Sequence, residues 1–148
     1  SPYNVIDSAI AITDSVSFAG TFRFSGAPNG IYFLAVKHRN SIGTWSASGV
    51  SLTIGSTVNY DMTSSVSQSY GNNLIQVDNS PVRYAIFSGD VNQDGIVDAS
   101  DLSEADNDAL NSLSGYVRTD VTGDDFVDAA DVSIVDNNSF NSVSEITP

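Results

Sequence analysis

Short apolar runs, separated by turn residues, fill the first half of the chain. Between Val16 and Phe24 the apolar residues lie close to a period of two, which is typical of a strand with one buried face. The run from Ile31 to Val36 is apolar on both faces, which indicates a central strand. Further runs of the same kind lie at 50–54, 58–62, 74–77 and 82–87. About seven short strands of this sort predict a β-sandwich.

A turn signal separates the first two runs. Ala27-Pro28-Asn29-Gly30 combines a proline, which fixes one dihedral, with a glycine that adopts positive φ easily, so residues 16–24 and 31–36 are predicted to form a hairpin. Together, Gly20–Phe24 and Pro28–Val36 resemble the middle of a transthyretin-like, or carboxypeptidase-regulatory-like, sandwich repeat. The resemblance implies an Ig-like/transthyretin-like β-sandwich over residues 1–88.

The start of the chain differs from that family. Its domains usually open with a strand of the Val-x-Leu kind before the segment that matches Tyr3–Thr13, and two residues precede Tyr3 here. A missing edge strand would leave unpaired backbone groups that can pair with a strand of another copy, which would build fibres. Alternatively, Tyr3–Ile6 is that first strand, or the chain was trimmed at this boundary.

The pattern changes after residue 88, where apolar residues recur at helical spacing in two segments. Their apolar faces are expected to pack together. The two sets are Leu102, Ala105, Ala109, Leu110 and Leu113, and Val132, Val135, Phe140 and Val143. The predicted fold class is therefore mainly β with a small α unit, divided into a sandwich at 1–88 and a helical unit at 89–148.

Charge follows the same division. Residues 1–88 contain four acidic and four basic residues, so their charges cancel. The whole net charge of −13 therefore lies in residues 89–148, which contain twelve Asp, two Glu and one basic residue, Arg118. An acidic surface of this kind repels phosphate backbones and anionic lipids, so we expect neither nucleic-acid nor membrane binding. The longest apolar run has six residues, far below the roughly 20 that a spanning helix needs.

The acidic residues are arranged in a repeat. Residues 90–101 (loop 1) align with residues 120–131 (loop 2) at an offset of 30, and the match continues with Asp106-Asn107 over Asp136-Asn137. Duplication of a loop and the segment after it is the simplest explanation. The two loops therefore carry the same chemistry.

Both loops have the ligand spacing of a twelve-residue calcium loop, which supplies oxygen atoms from positions 1, 3, 5, 7, 9 and 12. Two calcium ions are expected. The candidate ligands of loop 1 are Asp90, Asn92, Asp94, the Ile96 carbonyl, Asp98 and Asp101, and those of loop 2 are Asp120, Thr122, Asp124, the Phe126 carbonyl, Asp128 and Asp131.

Several expectations follow for these loops. Gly95 makes the sharp turn at position 6, where loop 2 has Asp125 at a cost of roughly 1 kcal/mol. At position 3, Asn92 of loop 1 is a stronger oxygen donor than Thr122 of loop 2, so loop 1 is expected to bind more tightly. Val97 and Val127, at position 8, are expected to pair with each other and so link the sites. Because the clustered carboxylates repel without metal, the region is expected to fold only with calcium bound.

The tandem loop–helix pairs resemble dockerin, the calcium-binding module that plugs enzymes into cohesin scaffolds of extracellular complexes, over residues 88–146. Asp at position 12 and the lack of a helix before loop 1 match that family. The recognition face departs from it, with Ala99-Ser100 and Ala129-Ala130 at positions 10 and 11 and no Lys or Arg at Asn107-Asp108 and Asn137-Asn138. The partner is therefore either a cohesin-like scaffold or another copy of the chain.

Catalytic chemistry has little to build on, and we expect no enzyme activity. His38 is the single histidine, cysteine is absent, and no Gly-x-Ser-x-Gly elbow occurs. Lys37, the single lysine, is expected to be a solvated strand end and not part of an isopeptide crosslink. Trp45 and the tyrosines 3, 32, 60 and 70 could form a sugar-stacking platform, although core packing is favoured.

Taken together, these features indicate an extracellular calcium-binding module that mediates calcium-stabilised protein association. Millimolar calcium, which such loops suit, is found outside the cell, so a secreted or cell-surface location is expected. Self-assembly by strand exchange, docking to a cohesin-like scaffold and a carbohydrate-binding role in a secreted hydrolase remain as alternatives.

Overall fold

The computed structural model describes residues 3–148, which form six short strands and two helices. The strands are β1 (Gly30–Tyr32), β2 (Ala35–His38), β3 (Ser41–Trp45), β4 (Val50–Leu52), β5 (Ile75–Asn79) and β6 (Val82–Ala85), and the helices are α1 (Ala99–Leu110) and α2 (Ala129–Phe140). Two 3-10 turns lie at Val66–Gln68 and Tyr70–Asn72. This mixture agrees with the coarser prediction of strands followed by a small α unit.

The strands pair in three separate two-stranded antiparallel sheets, β1 with β4, β2 with β3 and β5 with β6. Gly30 lies opposite Leu52, Ala35 opposite Trp45, and the third sheet is the hairpin of neighbouring strands. Across residues 3–148 these sheets do not close into a sandwich. The finer prediction, an Ig-like or transthyretin-like sandwich, is therefore not seen.

The predicted hairpin between residues 16–24 and 31–36 is wrong. The apolar run 31–36 is divided between β1 and β2, which pair with different strands, and residues 16–24 form no strand. Asp14 explains part of this, because its carboxylate accepts the N–H groups of Val16 (3.1 Å) and Ser17 (2.7 Å) and holds a local turn. Such side-chain bonds compete with a strand ladder.

The predicted strand at 58–62 is also absent from the described part of the chain. Asp61 accepts hydrogen bonds from both the N–H and the hydroxyl of Thr63, each at 2.8 Å. These bonds make a turn where the apolar pattern favours an extended chain. Local polar geometry again prevails over period-two hydrophobicity.

Each helix begins with the same cap. Asp98 and Asp128 are the N-caps, and a reciprocal capping box joins them to Asp101 and Asp131 three residues later. Each helix has an asparagine as its C-cap, Asn111 or Asn141, followed by Ser112 or Ser142 in the left-handed region, with φ of 52° and 53°. The duplication predicted from the sequence is thus repeated in the local structure.

The main core lies between the helices and β3. Ala105, Val135, Val97 and Val143 are buried there together with Ile42, which comes from the first half of the chain and is 0 % exposed. The helical spacing also predicted inward positions for Leu110 and Phe140, and this is wrong, since they are 84 % and 87 % exposed. Each is the last residue of its helix, at the end away from the loop.

Hydrogen bonds cross the predicted boundary at residue 88. Gly89 N–H donates to the Asn40 carbonyl at 2.7 Å, and the Asn138 amide donates to the Ser88 carbonyl at 2.8 Å. The Asn73 amide reaches the Ser144 carbonyl at 2.9 Å. The loops and helices are therefore held directly against β3 and its neighbours. Within residues 3–148, neither helix is long and apolar enough to cross a lipid bilayer.

Candidate metal centre

Both loops have the same backbone geometry. Positions 4 and 6 are left-handed in each, with φ of 64° at Gln93 and 91° at Gly95 in loop 1, and 80° at Gly123 and 68° at Asp125 in loop 2. Positive φ was expected at position 6, and the structure has it in both loops. Position 4 was not anticipated. Each loop therefore has one glycine and one non-glycine residue at its two left-handed positions.

The carboxylate at position 1 is buried and organises the turn. Asp90 is 2 % exposed, and its two oxygens accept the N–H groups of Asp94 and Gly95, each at 3.1 Å. Asp120 is 1 % exposed and accepts the N–H groups of positions 4, 5 and 6 of loop 2 at 2.7–3.2 Å. These bonds draw the first half of each loop around its first residue.

The carboxylate at position 12 closes each loop. Asp101 is 0 % exposed, and its oxygens accept the N–H groups of Val91, Asn92 and Asp98 at 2.9–3.1 Å. Asp131 is equally buried and makes the same three bonds in loop 2 at 2.8–3.0 Å. A carboxylate offers about four lone-pair directions, so each group can also accept a cation.

The remaining candidate ligands lie nearer the surface. The Asn92 amide donates to Asp94 at 3.1 Å and to the Ser100 hydroxyl at 2.9 Å, and the Thr122 hydroxyl donates to Asp120 at 3.3 Å. Position 3 thus donates to nearby oxygens in both loops. A cation bound there would need the oxygen of this side chain to turn inward.

Each loop pairs with the segment that follows the opposite helix. Val97 N–H donates to the Val143 carbonyl at 2.8 Å, and Val127 N–H donates to the Leu113 carbonyl at 2.9 Å. The expected pairing of Val97 with Val127 is therefore wrong, because each valine is already paired with the other repeat's helix-end segment. The repeats are linked reciprocally.

This pairing leaves the backbone carbonyl of position 7 in each loop free of ladder hydrogen bonds. Ile96 lies opposite Ser144, and the bonds on either side use Val97 N–H and the Gly95 carbonyl, which accepts from Glu145 at 2.7 Å. Ile96 and Ser144 thus form a non-hydrogen-bonded pair, so the Ile96 carbonyl lies outside the ladder. Phe126 opposite Ser114 has the same arrangement. Both position-7 carbonyls are outside the backbone ladder, as a carbonyl ligand requires.

Negative charge is concentrated in these buried positions. Asp90, Asp101, Asp120 and Asp131 are all at least 98 % buried. Of these four aspartates, only Asp120 forms an ion pair within residues 3–148, with Arg39 at 3.9 Å. Backbone N–H groups satisfy the hydrogen bonds of these carboxylates but do not cancel their charge.

The pKa values of two loop 1 carboxyls are shifted in opposite directions. Burial raises the pKa of Asp90, and the nearby Asp101 carboxylate adds to the rise, although the Gly95 N–H opposes it. The Ser100 hydroxyl and N–H lower the pKa of the exposed Asp98. Asp90 therefore takes up a proton more readily than Asp98.

The twelve candidate ligands lie along the two loops, but their carboxylates are turned mainly toward backbone N–H groups. Among residues 3–148, no group of three or more Asp, Glu, His or Cys side chains is arranged to hold a metal ion. The donor set consists entirely of oxygen atoms, which is the chemistry that calcium and magnesium prefer. The residue types fit calcium, and binding would require side-chain rotation within each loop.

Side chains of the β2–β3 turn surround loop 2, and this contact was not predicted from the sequence. Asn40 and Arg39 donate to the Asp120 carbonyl at 2.8 and 3.3 Å, and Arg39 also donates to the Val117 carbonyl at 3.1 Å. The Arg39 guanidinium lies 3.8 Å from the centre of the Tyr116 ring. The basic stretch 37–39 was visible in the sequence, but its distance of about 80 residues from loop 2 concealed the contact.

The other residues singled out in the sequence lie at the end of β2 and in a cluster of aromatic rings. His38 and Lys37 are exposed at the end of β2, and His38 shares a 2.8 Å hydrogen bond with Asn40. The Trp45 ring packs 6.0 Å from Tyr3, which also packs 5.5 Å from Phe33. The three rings contact one another, but Tyr3 is 44 % exposed, so they form a partly exposed cluster outside the buried core.

No family model, curated protein or solved structure matches the chain. The resemblances to dockerin and to transthyretin-like sandwiches stay predictions based on the motifs.

Proposed function

We propose that this chain is an extracellular calcium-binding module in which two loops bind calcium and thereby stabilise protein–protein association. The observation that supports this most is the set of four buried aspartates, two at equivalent positions in each loop, with Arg39 as their one paired cation in residues 3–148. Buried charges in proteins are normally paired or bound to metal. A calcium ion in each loop would neutralise them.

Calcium would supply positive charge and six to eight coordination positions in each loop. Asp90, Asp94 and Asp101 would contribute carboxylates in loop 1, with the Ile96 carbonyl between them in sequence. Their equivalents in loop 2 would do the same. Because each loop is paired with the segment after the other helix, holding one loop also stabilises the second repeat.

An assembly role is favoured over catalysis by the chemistry of the chain. It has no cysteine, and its single histidine is exposed at a strand end. Loops with neutral residues at position 3 suit the millimolar calcium found outside cells. The module is therefore proposed to act at the cell surface or after secretion.

The direct test compares calcium binding and helical circular dichroism with calcium and with chelator. In the double variant Asp94→Ala/Asp124→Ala, position 5 of both loops is lost, and we expect calcium binding to weaken at least tenfold. Both residues are exposed, so their removal leaves the core intact. The unmodified chain is expected to bind two ions and to lose helical signal in chelator.

The matched control is Asp106→Ala/Asp136→Ala, which removes two exposed aspartates at equivalent repeat positions outside the loops. It changes the net charge by the same amount as the loop variant, so it isolates the ligand role from general electrostatics. Equal calcium affinity in the two double variants would contradict the proposal. A helical signal that chelator does not change would contradict the coupling of metal binding to folding.

Docking to a cohesin-like scaffold is a second candidate. The starts of both helices carry small exposed residues at equivalent positions, Ala99-Ser100 and Ala129-Ala130. These residues differ from the usual recognition face of dockerin, so the partner would be a scaffold that reads two small, duplicated surfaces. Chains that bind calcium and stay monomeric would favour this candidate, whereas association of the purified chain would favour copies of itself.

A further inference from the structure

Residues 8–13, which we name the donor segment, carry no charge and belong to no strand or helix. The sequence is Ser-Ala-Ile-Ala-Ile-Thr, and Ile10 and Ile12 are 101 % and 96 % exposed. None of its backbone N–H or carbonyl groups bonds to another backbone group of residues 3–148. Adjacent Val5 and Ile6 are also exposed, at 85 % and 54 %. The segment's one backbone hydrogen bond to a side chain within residues 3–148 is that of the Ser8 N–H, which donates to the Asp7 carboxylate at 2.8 Å. From Ala9 to Thr13 the segment therefore presents apolar side chains together with backbone groups that no other part of residues 3–148 bonds.

This combination indicates the kind of partner. Segments with high β-propensity, no charge and no proline tend to pair with a strand, because pairing satisfies their backbone and covers their side chains at once. A helix or a flat apolar surface would leave the backbone groups unsatisfied. The partner must therefore offer the edge of a β-sheet.

The chain itself has such an edge at β5. All five residues of Ile75–Asn79 are exposed, including Val77 at 61 %, and β5 pairs with β6 on one side only. β1 and β4 are shorter, with three residues each, while β3 is mostly buried. Among the strands of residues 3–148, β5 is thus the one in which every residue is exposed, and it has five residues available for pairing.

Charge favours a second copy as the partner at this edge. Residues 1–88 carry no net charge, whereas the −13 of residues 89–148 would make copies repel if they met through their helical parts. The donor segment has no charged residue, and β5 has one, Asp78. The two surfaces can therefore meet without like-charge repulsion.

We propose that the donor segment of one copy adds as a third strand to the open edge of β5 on the next copy. This inference rests on the proposed function, and it identifies a second copy of the chain as the partner in the association. Donor and acceptor are different surfaces, so each added copy presents a fresh edge, and the contact is heterologous and continues into a filament.

Loop 2 lies close to the base of the donor segment. Thr13, Asp14 and Phe18 line a cavity together with Arg39 and residues 120–123 of loop 2. Calcium in loop 2 would fix one wall of this cavity and so hold the donor segment in a constant direction. Assembly is therefore expected to depend on calcium.

The test uses the full chain in millimolar calcium, with particle size followed by light scattering and electron microscopy. The unmodified chain is expected to form open-ended polymers. Ile10→Asp/Ile12→Asp is expected to stay monomeric, and because both side chains are fully exposed, the substitution leaves the monomer fold unchanged. Ile54→Asp, at an isoleucine that is 75 % exposed elsewhere, is the control and is expected to polymerise.

Mixing a donor variant with an acceptor variant tests the donor segment and the β5 edge independently. Val77→Asp is expected to block the acceptor edge, so this variant and the donor variant each stay monomeric alone but form a one-to-one heterodimer when mixed. A dimer of the unmodified chain that does not grow would overturn the proposal, since it indicates donor segments pairing with each other. Polymerisation of the donor variant would overturn it too.

Calcium titration of every variant distinguishes a failure of strand addition from a failure of calcium binding. Monomers of the unmodified chain that still bind two calcium ions would overturn the strand addition and leave calcium binding in place. The two proposals together predict calcium binding that is at least tenfold weaker and fewer polymers in Asp94→Ala/Asp124→Ala, with polymers retained in Asp106→Ala/Asp136→Ala.

Discussion

At the residue scale, the two loops place their glycine at different left-handed positions. Loop 1 has Gly95 at position 6 but Gln93 at position 4, while loop 2 has Gly123 at position 4 and Asp125 at position 6. The expected advantage of loop 1 rested on position 6 and on Asn92 as a stronger oxygen donor than Thr122. Because each loop has one non-glycine residue at positive φ, the backbone no longer ranks one loop above the other.

Asp125→Gly is predicted to stabilise the calcium-loaded chain by about 1 kcal/mol, because it removes the strain of a side chain at φ 68°. Asp125 is exposed, so little packing is lost. Chemical denaturation in calcium measures the free energy of unfolding. Asp125→Asn is the control, since it removes the charge but keeps the side chain, and equal stabilisation by both variants would assign the effect to charge.

Acidity is predicted to release calcium from loop 1 through Asp90. Calcium binds the ionised carboxylate, and a proton competes for it. Because burial raises the pKa of Asp90 above its ordinary value of 3.8, protonation begins at a higher pH than for an exposed aspartate, and calcium affinity falls as the pH drops through that raised value. Calorimetric titrations of Asp124→Ala, in which loop 2 is impaired, follow this across the acidic range. Affinity that stays constant down to the ordinary pKa would contradict the prediction.

At the element scale, the helices were predictable because their signals are local. A capping box and the apolar spacing lie within a few residues of one another, so the sequence locates α1 and α2 without knowledge of the rest of the chain. Strand pairing depends on distant partners. The run Ile31–Val36 looked like one central strand, but β1 and β2 take its two ends to different sheets. Period-two hydrophobicity alone could not show that division.

The segment after α2 links loop 1 to the single tryptophan. Glu145 N–H donates to the Gly95 carbonyl, and its carboxylate accepts the Trp45 indole N–H at 2.6 Å. Calcium binding at loop 1 is therefore predicted to change tryptophan fluorescence. The change should be lost in Asp94→Ala and largely kept in Asp124→Ala, and Glu145→Gln should reduce it without abolishing calcium binding. An equal response from the two loop variants would contradict this path.

At the scale of the whole molecule, the candidate ligands could be predicted but their surroundings could not. Spacing and duplication identified both loops, since every candidate ligand lies within twelve residues of sequence. Arg39 and Asn40 reach Asp120 from about 80 residues away, and their approach depends on how the β2–β3 turn packs. Composition likewise placed the charge boundary at residue 88 but could not show that contacts would cross it.

Ile42 is the clearest of these contacts, because a residue of β3 completes the core between the helices. It is 0 % exposed and packs with Val97 and Val135, so Ile42→Ala is predicted to lower the free energy of unfolding by about 2–5 kcal/mol. Ile31→Ala, at a side chain that is 75 % exposed on β1, is the control and should change it by less than about 0.5 kcal/mol. Helical circular dichroism during urea unfolding in calcium reports on α1 and α2. If residues 89–148 folded independently, the helical transition would be the same in both variants; a transition that shifts only in Ile42→Ala would mean that the first half of the chain is needed to hold the calcium loops in place.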